Sequence, residues 1–206
     1  MVVSADLIKQ LYIDKHSDMA SWIKLLLYKH PETYHHSVRV AMLAEKIAKP
    51  LELSNADKEQ LVRGCFLHDI GKSMIPREVI LQSESLSETQ REIIKLYPII
   101  GAEMIESNPG FGSEISKIVK YHQERWDGSG YPEGLSGEEI PYAARICAVI
   151  DSFDLMMAKR RYHQNRYKVG ETKIEILKQC GTKFDPDVVH ALIKLPDQVL
   201  NIFSID

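Results

Sequence analysis

Apolar residues recur along this chain three and four positions apart, the spacing of one helical face. The pattern predicts helices over about 4–13, 17–29, 32–49, 55–70, 87–106, 113–123, 141–158, 171–180 and 186–194. No run alternates in the manner of a half-buried strand, and no segment repeats. The expected fold class is therefore all-α, a helical bundle. Ser54 with Asp57, and Ser87 with Glu88, resemble helix starts. Pro98 falls inside the fifth helix and is expected to kink it, because it removes a backbone donor. Pro186 suits a first turn after Asp185. The stretch DGSGYPEGLSGEEIP, 127–141, is a long loop, and long loops in compact domains are more often functional than idle. Residues 1–30 are expected to form a separate N-terminal helical segment, and 31–206 the main domain.

Several apolar stripes carry a polar residue where the core should be. His68 continues the stripe of Leu61 and Cys65, with Asp69 beside it. His36 lies one turn before Val40. Ile115, Ile118 and Val119 lead to His122, and Ala144 and Ala148 lead to Asp151. A lone inward histidine is more often a hydrogen-bonded core residue than a ligand. An inward carboxylate is different, since burying it unpaired costs several kcal/mol. Five such groups from four helices are best reconciled by a divalent cation among them. Imidazole with carboxylate suits iron, manganese, zinc or nickel.

Composition narrows the setting. The 206 residues fit one ordinary domain, and a formal charge of −3 offers no global field for a nucleic acid polymer or a membrane surface. MVVSADLIKQ does not read as a signal peptide, and no apolar run approaches a membrane span. Cys65, Cys147 and Cys180 are few and scattered, as expected of reduced thiols in a cytoplasmic protein. His16, His30, His35, His163 and His190 have no core-facing company and are expected at the surface.

His36 in HSVRV, His68-Asp69 in LHDIGK and Asp151 in ARICAVIDSFD resemble the H…HD…D set of the HD superfamily of metal-dependent phosphohydrolases. The loop ERWDGSGYPEGLSGEEIP resembles that of the HD-GYP subfamily, known as cyclic di-GMP phosphodiesterases, and GTKFDPDVV is similar to the subfamily's C-terminal segment. The resemblance implies an HD-domain bundle with a long GYP loop and a centre of two metals, sometimes three. One metal would take His36, His68, Asp69 and Asp151. A second would share Asp69 and use three further histidines, of which only His122 is present. The family's His-Pro reads Tyr97-Pro98 here, and its His-His-Glu reads His122-Gln123-Glu124. Phenol and amide are poor substitutes for imidazole, so the second site is expected to be incomplete. Glu32 matches a carboxylate that binds a third iron in some members; it reads equally well as a solvated acid.

The resemblance implies catalytic roles for Asp69 and Lys72. Substrate contacts are expected for Lys72, for Arg145 if it reaches the site, and for Asp154, Arg160 and Tyr131, the last able to stack on a base or to pack the loop down. Trp126 is expected to pack. The family's DALTSDRPYR reads DLMMAKRRYH here, so the substrate side has drifted. Two functions are compatible with these residues. One is a metal-dependent phosphohydrolase of reduced activity acting on a cyclic dinucleotide or related nucleotide. The other is an inactive module that binds a nucleotide, or a protein partner through the GYP loop.

Overall fold

The computed structural model describes residues 18–80, 87–108, 110–161 and 168–202. The predicted helix over 4–13 lies outside them. The helices, in chain order, are α1 (Asp18–Lys29), α2 (Pro31–Ala48), α3 (Asn55–Leu67), α4 (Arg77–Ile80), α5 (Glu88–Lys95), α6 (Tyr97–Glu106), α7 (Ser113–Tyr121), α8 (Tyr142–Arg161), α9 (Val169–Leu177), α10 (Pro186–Lys194) and α11 (Asp197–Leu200). A 3-10 turn, Ile70–Met74, follows α3. Among the described residues the only extended pairings are two isolated bridges, Asp127 to Ser136 and Cys180 to Phe184. The all-α expectation holds.

Local chemistry explains the boundaries. Ser54 accepts a hydrogen bond from Asp57 N at 3.1 Å and starts α3. Ser87 starts α5 through a full capping box with Gln90, one turn on, rather than through Glu88. Asp185 accepts from Asp187 N and Val188 N at the head of α10, with Pro186 in the first turn as expected.

Two expected helices end differently. The helix over 55–70 stops at Leu67, and its last three residues leave the helix. The helix over 87–106 is broken rather than kinked. Leu96 closes α5, and Pro98 sits in the first turn of α6, where a missing N–H costs nothing.

α2, α3 and α8 form the centre of the bundle, with Val40, Leu43, Ile47, Leu61, Ile146, Ile150 and Phe153 fully buried between them. α7 packs on α3 and α6, and α9 and α10 cover the far side of α8. The 3-10 turn lies against α6 so closely that a Cβ on Gly71 would meet the Tyr97 carbonyl oxygen and Gly101 N. Only glycine permits that approach. From the other side Lys29 of α1 donates to Ser73 O at 3.1 Å, and His30 is buried, contrary to its expected place at the surface. His35 and His190 are exposed; His16 and His163 lie outside the described residues. No helix among the described residues is long and apolar enough to cross a membrane.

Candidate metal centre

The early stop of α3 builds the site. In a continuing helix His68 and Asp69 would diverge by about 100°. Instead His68 caps α3 and Asp69 takes φ −101° and ψ 8°, so both side chains enter the same interior space. α2 brings His36 and α8 brings Asp151. Nε2 of His36 lies 2.9 Å from Asp151 Oδ1. Nε2 of His68 lies 3.5 Å from Asp69 Oδ2 and 3.8 Å from Asp151 Oδ1. Ligand atoms of His36, His68 and Asp69 all fall within 4.8 Å of one another. None of the four residues is more than 6% exposed.

Backbone and carboxylate partners aim the rings. His68 Nδ1 donates to Cys65 O at 2.6 Å, which turns Nε2 inward. His36 Nδ1 donates to Asp154 Oδ2 at 2.7 Å. Asp154 is itself gripped by Arg39, through Nε and Nη2 at 2.8 Å each. His68 Nε2 and Asp69 Oδ1 are buried with no hydrogen-bond partner. Each such orphan costs about 1–3 kcal/mol. A lone pair on nitrogen and a carboxylate oxygen, both left open and facing the same space, fit a divalent ion.

The charges agree with that fit. Burial opposes ionisation of Asp69, but Lys72, His68 and His36 outweigh it and hold its carboxyl well below the usual range. Burial likewise opposes charge on Asp151, yet the bond from His36 holds it to about 2. For His36 burial is again the largest influence, and the carboxylates of Asp151 and Asp154 overcome it and raise the ring to about 10. In metal-free protein this protonated ring stabilises the fold fully below its ordinary pKa of 6.5, and that contribution is lost as pH rises through about 10. An ion taken by the His36 ring would have to displace the same proton. Metal affinity is therefore expected to fall about tenfold for each pH unit of acidification on account of this group. Competitive manganese titrations between about pH 8 and about pH 6 read this directly; a flat affinity would remove His36 from the ligand set.

His122 stands beside these groups, its ring centroid 5.0 Å from that of His68 and its Nε2 4.0 Å from Asp69 Oδ1. Its Nδ1 donates to Val119 O at 2.8 Å. Burial, reinforced by the neighbouring His68, lowers its pKa to about 4, so the ring is neutral and Nε2 is an acceptor. Tyr97 Oη donates to that acceptor at 2.8 Å. Burial keeps the Tyr97 phenol protonated, well above its ordinary pKa. Tyr131 of the long loop lies near Tyr97, and burial raises its own pKa to about 12. Lys72 donates to Asp69 Oδ2 at 2.7 Å and stands 4.6 Å from the Tyr97 ring centroid.

Two residues expected at the substrate are engaged within the protein in this structure. Asp154 is fully buried between His36 and Arg39 and accepts a hydrogen bond from each, a position that orients the His36 ring. Arg145 is committed to Asp185, at 2.5 Å, and to Ile140 O, and its guanidinium lies over Trp126 and Tyr142. It ties the start of α8 to the cap of α10. Trp126 is packed in this cluster. Gln123 is half-buried next to His122, and Glu32 is exposed in the first turn of α2. The Arg160 side chain lies outside the described residues.

Arg39 joins the site through Asp154, and it stands three residues after His36 on the same helical face. Replacing Asp154 with Asn should weaken metal binding about 10–100-fold, the usual cost of losing a partner that orients a ligand. Isothermal titration with zinc reads this, and unchanged affinity would make the Arg39–Asp154–His36 chain merely structural.

A family model described as HD domain matches residues 21–188, over four-fifths of the chain. This chain belongs to the HD domain family. The HD domain is 36% identical to a cyclic di-GMP phosphodiesterase of Thermotoga maritima, over 85% of this chain and 48% of that protein. It is 35% identical to the cyclic di-GMP phosphodiesterase response regulator RpfG of Xanthomonas campestris pv. campestris, over 76% of this chain and 41% of the relative. The chain thus spans less than half the length of these relatives. Its fold resembles that of a cyclic GMP-AMP specific phosphodiesterase of Vibrio cholerae, with a TM-score of 0.64 and 22% identity over 96% of this chain and 50% of the other. Membership of this metal-dependent family agrees with the His/Asp group described above.

Proposed function

We propose that this HD domain is of the HD-GYP type and hydrolyses a phosphodiester bond of a cyclic dinucleotide, at a centre holding one divalent ion firmly and a second poorly or not at all. The observation that carries this reading is the convergence of His36, His68, Asp69 and Asp151, with His68 Nε2 and Asp69 Oδ1 buried and unpartnered. An ion held there supplies Lewis acidity and an activated water near neutral pH. His36, His68, Asp69 and Asp151 would hold it, the two carboxylates supplying negative charge. Lys72 is a quarter exposed and already on Asp69, and it places a positive charge where an anionic phosphate would approach. Tyr131 forms a wall of the site beside Tyr97. The relatives named for cyclic di-GMP hydrolysis support the substrate class.

Reduced turnover follows from Tyr97. Its hydroxyl occupies the Nε2 lone pair of His122 that a second ion would need. The same bond favours the second reading, a module that binds a nucleotide or a protein partner without turnover. Elemental analysis of protein purified without chelators, joined with a manganese-supported assay of cyclic di-GMP, decides. About one ion per chain with measurable hydrolysis supports the enzyme. Binding of the nucleotide without hydrolysis supports the module, and two full ions would overturn the account of Tyr97.

A further inference from the structure

Glu124 is a buried acid that the proposed chemistry does not use. It lies two residues past His122, where the chain leaves α7 and begins the long loop, and it is only 3% exposed. Its Oε1 accepts two backbone hydrogen bonds from the far side of that loop, from Glu133 N at 2.7 Å and Gly134 N at 3.0 Å. Its Oε2 is buried with no partner. The near side of the loop lies on the same residue. A Cβ on Gly130 would come within 2.4 Å of Arg125 N and 2.5 Å of Glu124 Cα, so the loop backbone rests on the backbone of Glu124. Tyr131 N donates to Gln123 O at 3.3 Å. Between Gly130 and Gly134 the chain therefore wraps one carboxylate, and Tyr131 lies within that span, near Tyr97 and Asp69.

The ties farther out hold other parts of the loop. Trp126 N and Asp127 N donate to Lys183 O and Thr182 O, and Gly137 N donates to Trp126 O. Lys120 and Tyr121 meet the Glu133 carboxylate at an exposed edge, where such a pair contributes little. The buried tie is the one from Glu124.

We propose that Glu124 is a positioning residue for the reaction: by seating the Glu133–Gly134 turn it holds Tyr131 against the metal centre as the wall that a nucleotide meets. This rests on the cyclic dinucleotide reading above for the identity of the ligand, and on the geometry alone for the seating. Glu124 touches neither ion nor substrate, and it acts through Tyr131.

The test compares Glu124→Ala, Glu124→Gln, Tyr131→Ala and the double variant Glu124→Ala with Tyr131→Ala, each full length and loaded with manganese. Hydrogen exchange is read at the amides of Glu133 and Gly134, and KM and kcat are read with cyclic di-GMP. Glu124→Ala is expected to speed exchange at those two amides by about 100-fold or more while α2, α3 and α8 exchange as before. Glu124→Gln keeps a carbonyl oxygen for both donors and is expected to restore slow exchange. KM is expected to rise about tenfold in Glu124→Ala with kcat changed by less than about threefold, and to recover in Glu124→Gln. The double variant should have the KM of Tyr131→Ala alone, because both changes remove the same wall. Additive effects on KM, or a Gln variant no better than Ala, would overturn the proposal. If the unaltered protein neither binds nor cleaves cyclic di-GMP, the substrate reading falls, and the exchange data still decide the seating: unchanged exchange at Glu133 and Gly134 in Glu124→Ala overturns it.

Discussion

Replacing Tyr97 and Gln123 together with histidine is expected to raise the metal content from about one ion per chain to about two, and to raise turnover on the order of 10²–10³-fold. The expectation follows from what Tyr97 does now. Its hydroxyl donates to His122 Nε2 at 2.8 Å, and the ring is neutral, so the lone pair that a second ion would need faces a phenol. Tyr97 is 3% exposed, and imidazole is the smaller ring, so the replacement has room. Gln123 leaves its backbone carbonyl bound to Tyr131 N whatever its side chain is, so the loop need not move. A second ion would neutralise charge that the first leaves exposed at a transferring phosphoryl group. Tyr97→Phe serves as a control. It removes the hydroxyl but adds no ligand, so its metal content should stay near one ion. If the double histidine variant also stays near one, the stopper account fails. If metal content rises and turnover does not, the substrate wall is at fault and the binding module is the better description.

Asp69→Asn has the largest expected loss. The amide keeps the shape but removes the negative charge from the residue on which Lys72, His68, His36 and His122 all bear. Turnover should fall by about 10³ or more, and manganese should no longer bind at concentrations that saturate the unaltered protein. The fold should survive. Lys72 is a quarter exposed and can turn to water, so the metal-free variant should lose no more than about 1–3 kcal/mol. The clean readout is linkage. An ion present at about 1,000 times its dissociation constant stabilises the unaltered protein by about 4 kcal/mol, and should stabilise Asp69→Asn by almost nothing. Equal thermal shifts with manganese in both proteins would place the ion elsewhere.

The amino-acid sequence by itself determined the all-α class, most helix positions and the identities of the residues at the centre. Those are local properties. Apolar spacing reports which face of a helix is buried, and a histidine or aspartate on that face stands out within a few turns of chain. It could not decide where α3 stops, because Leu67, His68 and Asp69 are all compatible with another helical turn, and only the packing of Gly71 on Tyr97 and Gly101 ends it there. It could not decide between kink and break at Pro98, since a proline serves equally well inside a bent helix or at the start of a new one. Nor could it give Asp154, Arg145 and Glu124 their roles. Asp154 finds His36 across 118 positions, Arg145 finds Asp185 across 40, and Glu124 finds both sides of its own loop. A buried charge must be matched by whatever group the fold brings to it, and which group arrives is settled only when the helices pack.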